Sequence, residues 1–320
     1  MRLTISSLVV LLGTCIPLVA TATDVNIPEP VEKLEQMLEQ EPFEIIDAEI
    51  SRPKAKGDIT LKASLAFGSQ PPITVKLRKA EPGAESFNNI PRFDLAAYEL
   101  QKLLMDPSEY VVPPTSLRMV PLADLSVYSP GVRPTFKGSD EVLAVIQYWL
   151  HDVKVIEDVF DPARFDADPV YARHIGQLNV FTFLIQHGDS NVGNFLLSRA
   201  ERGPRVFSID NGVAFSQNES DRGDLWKSMR VDRLPADTVE RLRALTHEEL
   251  ESRLGVLMQW ELRDGRLYAV PAGKNLDPHR GVRDRSDVVQ MGLTHSEINA
   301  LWRQASRLLK MVDKGRIETF

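Results

Sequence analysis

Three polar residues in one short region have the types and spacing that phosphoryl transfer needs. The run His187-Gly-Asp-Ser-Asn-Val-Gly-Asn194 sets an Asp five positions before an Asn, and Asp210 of Ile209-Asp-Asn-Gly212 follows sixteen positions later. Transfer from ATP requires a carboxylate beside the attacking hydroxyl and a divalent cation to offset charge on the phosphates. Asp189 suits the first task, orienting an acceptor hydroxyl and taking its proton. Asn194, at the far end of the same loop, offers an amide oxygen to a metal. Asp210 can hold Mg²⁺ or Mn²⁺ against the β- and γ-phosphates. Gly212 lets the backbone turn tightly after that Asp, and His187 reads as a structural brace for the loop.

Asp, Asn and Gly are also ordinary turn residues. The flanking residues argue for more than a turn. Phe195-Leu-Leu197 and Val206-Phe-Ser-Ile209 read as short buried strands, so two strands carrying metal-suited residues at their edges form a hairpin around one point. A helix predicted to start at Asp168-Pro169 places Ile175, Leu178, Phe181, Leu184 and Ile185 on an apolar face and feeds directly into the loop.

The HGDxxxGN pattern at 187–194 resembles the catalytic loop of aminoglycoside and choline-type phosphotransferases. IDNGVAF at 209–215 resembles the metal-binding segment of type II phosphatidylinositol 4-kinases, and of the secretory-pathway kinases related to four-jointed. The resemblance implies an α+β, two-lobed protein-kinase-like fold, with a β-rich N-lobe, a mainly helical C-lobe and ATP between them. It covers the two motifs closely and the remainder of the chain faintly, and it names no substrate.

Such a site also needs a cation on a strand to contact the phosphates, steadied by an acid on a helix. Ile73-Thr-Val-Lys76-Leu-Arg78 alternates as a half-buried strand does, and Lys76 is the first choice. Arg78 on the same face and adjacent Lys79 are the alternatives. The following helix, from Pro91 to Leu104, has an apolar side of Leu95, Tyr98, Leu100, Leu103 and Leu104. It resembles the acid-x-Ala-Ala-aromatic helix of the secretory-pathway kinases, followed there too by Val-Pro-Pro, here Val112-Pro113-Pro114. That resemblance puts the pairing acid on Asp94. Glu99 is the other choice; five helical steps turn it about 140° from Asp94, so the two cannot face one lysine. Asp94 can equally cap the helix. Gly57 and Gly68 flank a strand-like Ile59–Leu65, but no GxGxxG is present to cradle phosphates. Glu141–Leu150 reads as the last N-lobe strand and the hinge, where backbone groups at Gln147, Tyr148, Trp149 and Leu150 would contact adenine.

The chain has 320 residues, 43% hydrophobic and 26% charged, enough for a kinase-sized core. A net charge of −7 without like-charge blocks argues against nucleic acid as a partner. Residues 1–22 have the pattern of a signal peptide: Arg2, an uncharged apolar run, and Ala20-Thr-Ala22 for cleavage. Cleavage there predicts a periplasmic or secreted protein without a membrane span. It also removes Cys15, the one cysteine, which excludes disulfides and thiol catalysis. The six His lack zinc-ligand spacing.

The expected organisation is a signal peptide at 1–22, an N-lobe with an N-terminal extension at 23–150 and a C-lobe at 151–320. Helices are expected at 31–39, 237–245, 246–260 and 294–312, with Thr246–Glu249 and Thr294–Glu297 as capping boxes. Residues 216–224, with Asp221, Arg222 and Asp224, read as a solvated loop where an acceptor would approach. Residues 265–285, rich in Gly, Pro, Arg and Asp, read as a loop. The function these features imply is an exported, ATP- and metal-dependent kinase acting on a hydroxyl of a protein, glycan or lipid headgroup. The rivals are a catalytically inactive nucleotide-binding pseudokinase that binds a partner, an AMP transferase on the same fold, and an unrelated solute-binding module.

Overall fold

The computed structural model describes residues 24–51, 60–87, 89–200, 204–215, 223 and 225–320. The leader at 1–22, Gly57 and the acceptor-side Asp221, Arg222 and Asp224 lie outside the described residues. The fold is mixed α+β.

Helix α1 (Val31–Glu39) precedes strands β1 (Glu44–Ile50), β2 (Thr60–Ala66) and β3 (Ile73–Lys79). Helix α2 (Pro91–Gln101), strand β4 (Thr115–Pro121), a short helix α3 (Leu122–Ser126) and strand β5 (Glu141–Tyr148) follow. The five strands form one antiparallel sheet in the order β1-β2-β3-β5-β4. On one face Leu61, Leu65, Val75, Leu77, Val142 and Ile146 pack with Met37 and Leu38 of α1. β3 alternates as its sequence predicts, yet its polar face is not solvated: Lys76 and Arg78 are both buried. α2 begins with Pro91 at a first-turn position that needs no amide donor. It stops at Gln101, short of the expected Leu104, where the Gln101 side chain bonds both backbone groups of Val112, at 2.9 and 2.8 Å.

The second half holds β6 (Val153–Val155), α4 (Pro162–Ala167), α5 (Pro169–Ile185), β7 (Phe195–Ser198) and β8 (Val206–Ser208). After these come β9 (Arg233–Leu234), α6 (Ala236–Ala244), α7 (His247–Leu254), β10 (Met258–Arg263), β11 (Arg266–Val270), β12 (Val282–Arg285), β13 (Val288–Met291), α8 (His295–Asp313) and β14 (Glu318–Thr319). α5 starts where Asp168 accepts from the amides of Val170 and Tyr171, at 3.1 and 3.0 Å, and ends at Gln186 in the left-handed conformation. Its Ile175, Leu178, Phe181 and Ile185 share a core with Phe93, Ala97 and Leu100 of α2 and with Ile298, Leu301 and Leu308 of α8. Thr294 and Glu297 form a complete capping box at the head of α8.

Two expectations fail between 246 and 291. The helix from Thr246 ends at Leu254, and Trp260 lies on a strand. The run 265–285 is loop only in part: residues 271–281 are an irregular connection, but β11 and β12 on either side of it belong to a four-stranded antiparallel sheet in the order β11-β10-β13-β12. Its inner residues Trp260, Leu267, Val289 and Met291 pack on Leu95 of α2 and on Leu117, Leu143 and Val145 of the first sheet. The Pro and Gly residues that made the sequence look loop-like, Pro271, Gly273, Pro278 and Gly281, lie in the connection between β11 and β12. The C-terminal part of the chain therefore returns to the first sheet and covers its second face.

Candidate functional site

The loop from α5 to β7 is built around Asp189. His187 is fully buried, and its Nδ1 accepts from the Asp189 amide at 3.3 Å. Burial lowers its pKa to about 4, so near neutral pH the ring is uncharged and Nδ1 is free to accept. Gly188 donates to the Val213 carbonyl at 2.8 Å, tying the loop to the segment after Asp210. The Asp189 carboxylate accepts from Asn191 Nδ2 at 2.7 Å and from Asn194 Nδ2 at 3.0 Å. Asn194 also donates to the Asp189 carbonyl at 2.8 Å, so its Nδ2 is committed to Asp189 and its Oδ1 is the acceptor left over. The only signal for the Asn191 contact in the sequence is an Asn two positions after an Asp.

β7 and β8 pair antiparallel and bring the second motif alongside: the Ile209 amide donates to the Asn194 carbonyl at 2.9 Å. Asp210 follows in the left-handed conformation, φ 57°, which swings its side chain toward β3. There it pairs with Lys76 Nζ, and Arg78 Nη1 lies 3.7 Å from the same oxygen. The Asp210 side chain remains 38% exposed, against 9% for Lys76. Asp189, Asn194, Asp210 and Lys76 thus come from three elements to one place.

The acid on α2 is a correction. Neither Asp94 nor Glu99 pairs with Lys76. Asp94, fully buried, pairs with Arg78, one strand repeat further along the same face of β3. Glu99 faces away and pairs with Lys102 at 2.7 Å, a lysine it shares with Glu35 of α1. Which of two same-face cations meets the helix acid depends on where α2 docks along β3, and no local pattern encodes that. Asp94 does not cap its helix either; no side chain does.

Gly212 is also explained differently. The left-handed residue of the turn is Asp210, not Gly212. A Cβ on Gly212 would stand 2.8 Å from Arg78 Nη2 and 3.2 Å from Asp94 Oδ2. A methyl group at this position would have to displace the ion pair resting on it.

Beside Lys76 opens a cavity of about 220 Å³, bordered by Pro113, Gln147–Leu150, Val153, Leu196 and Ile209. Lys76 and Ile209 link it to the acids. A wider hollow of about 660 Å³ near Arg133–Ser139 is lined by none of these residues. Gly68, at the β2–β3 turn with φ 54°, is not part of the cavity lining, and the β1–β2 connection at 52–59 lies outside the described residues.

No protein-family model matches the chain, and no curated protein matches it. The site is therefore read from its geometry. Among the described residues no group of three or more His, Cys, Asp or Glu side chains is arranged to hold a metal ion. Asn194 Oδ1 and the Asp210 carboxylate are two hard oxygen donors. They fit Mg²⁺ or Mn²⁺, which commonly takes one or two protein oxygens and completes its shell with phosphates and water.

Proposed function

We propose that this chain is an ATP- and metal-dependent phosphotransferase of the two-lobed protein-kinase-like fold, acting on a hydroxyl of a protein, glycan or lipid headgroup. The first sheet with α1–α3 is the N-lobe, residues 23–150, and the α5-centred half is the C-lobe, residues 151–320. The observation that carries the reading is the meeting of Lys76 with Asp210 beside a cavity, with the Asp189 carboxylate held by Asn194, whose carbonyl in turn accepts from the amide of Ile209, the residue before Asp210. The motif resemblances at 187–194 and 209–215 support the same assignment.

In this reading the purine of ATP enters the cavity beside Gln147–Leu150. Lys76 leaves its Asp210 partner to contact the phosphates, and Arg78 keeps Asp94 and the turn at Gly212 in place. Asn194 and Asp210 hold the cation, which offsets charge on the phosphate oxygens when bound. Asp189, oriented by Asn191 and Asn194, takes the proton of the acceptor hydroxyl. Residues 1–22 direct export to a periplasm or beyond; no helix among the described residues is long and apolar enough to cross a membrane.

The test is product identity. Purified protein incubated with ATP and Mg²⁺ or Mn²⁺, with protein, glycan and lipid-headgroup acceptors, is expected to release ADP, and Asp189→Asn to abolish the release. Pyrophosphate in place of ADP would assign nucleotidyl transfer, and neither product would assign a pseudokinase.

A further inference from the structure

Gln147 lies opposite Lys76 in the β3–β5 register, is 2% exposed and lines the cavity. Its amide cannot turn over freely. Thr115 Oγ1 donates its single hydrogen to the Pro113 carbonyl at 2.7 Å. That oxygen therefore accepts from Gln147 Nε2, 2.9 Å away. The pairing holds Nε2 against Thr115 and turns Oε1 the other way. Oε1 has no hydrogen-bond partner among the described residues, and Gln147 borders the cavity.

Three residues on, a donor is left open. The amides of Tyr148, Trp149 and His151 bond the carbonyls of Pro114, Thr74 and Asn26, whereas the Leu150 amide has no partner among the described residues. Leu150 is itself buried and lines the same cavity. An acceptor and a donor left unmade on buried residues are costly, and beside a cavity they mark where the polar edge of a ligand fits.

We propose that Gln147 reads the purine base, selecting a 6-amino purine over a 6-oxo purine. The inference rests on the nucleotide reading above and goes beyond it by naming the residue that discriminates. Adenine presents an amino donor beside a ring-nitrogen acceptor, complementary to Gln147 Oε1 and the Leu150 amide. Guanine and hypoxanthine present a carbonyl beside an N–H, so acceptor meets acceptor and donor meets donor. A site whose polar groups would be left unpaired rejects the wrong ligand more strongly than an apolar pocket does.

The experiment is calorimetric binding of Mg·ATP, Mg·GTP, Mg·ITP and Mg·tripolyphosphate to the full chain, to Thr115→Val and to Gln147→Leu. Wild type is expected to bind ATP at least about tenfold more tightly than ITP or GTP, the size of one hydrogen bond made or lost. Thr115→Val frees the amide to rotate and brings the ATP/ITP ratio within about threefold, chiefly by tightening ITP. Gln147→Leu loses the preference by weakening ATP. Binding of Mg·tripolyphosphate shows that each variant is folded. A wild type that binds ATP and ITP alike, or a ratio unchanged in both variants, overturns the inference and leaves the nucleotide reading standing. A folded wild type that binds no nucleotide overturns both.

Discussion

Arg78 and Asp94 form a buried ion pair that rests directly on Gly212. The pair joins β3 to α2, and through Gly212 it sets the course of the chain after Asp210. In the proposed reading it positions the turn that carries Asp210. Gly212→Ala must push the pair aside or tilt the Asp210 turn. We expect Gly212→Ala to stay folded but lose most of its Mg·ATP affinity, measured by calorimetry; unchanged affinity would show that the turn is set elsewhere.

Removing one partner of this pair leaves a charge in a dry site. Arg78→Met is expected to destabilise the protein by about 3–5 kcal/mol, because Asp94 is left buried and uncompensated. The double variant Arg78→Met/Asp94→Leu removes both charges and is expected to recover most of that loss. Urea unfolding of the two single variants and the double variant measures the cycle; a double variant as unstable as the sum of the singles would contradict it.

α2 is also tied at its N-terminal end. Arg92 donates to both oxygens of Glu297, which in turn caps α8 by accepting from the Thr294 amide at 2.7 Å. Glu297 is 1% exposed. Arg92→Met should therefore cost about 3–5 kcal/mol of stability in the same urea assay. A loss well below 1 kcal/mol would mean that Glu297 reaches water when its partner is gone.

Much of this was legible in the sequence. The alternation in 73–79 gave β3, Asp168-Pro169 marked the start of α5, and Thr294 with Glu297 marked the start of α8. Those signals are local, and the forces behind them are local too. The sheet at 258–291 escaped because β11 and β12 are short and flank a connection rich in Pro and Gly, while the inner side chains that carry the packing, among them Trp260, Leu267, Val289 and Met291, are spread over three strands. The partners of Asp94 and Glu99 escaped for a different reason: a carboxylate names no partner until the helix that carries it has docked.

Acid should weaken the fold through two histidines. His187 and His174 are buried, and burial lowers each pKa from 6.5 to about 4. The unfolded chain therefore binds protons that the folded chain refuses as pH falls from about 6.5 to 4. Stability is full above pH 6.5 and declines through this window, by up to about 1.4 kcal/mol per pH unit for each group. Urea midpoints between pH 7.5 and 4.5 test this. His187→Gln is expected to flatten the decline, and an equally steep decline in that variant would remove His187 as a cause.

The central claim is that Asp210 and Lys76 serve a metal-bound nucleotide. The most direct measurement is the thermal midpoint of the purified protein with ATP, with and without Mg²⁺ or Mn²⁺, beside Asp210→Ala. A ligand that binds only the folded state raises the midpoint, by about 2.7 kcal/mol of added stability at a hundredfold excess over Kd. The account predicts a metal-dependent rise that Asp210→Ala loses. A midpoint unmoved by any nucleotide and metal, or moved equally in Asp210→Ala, would contradict it.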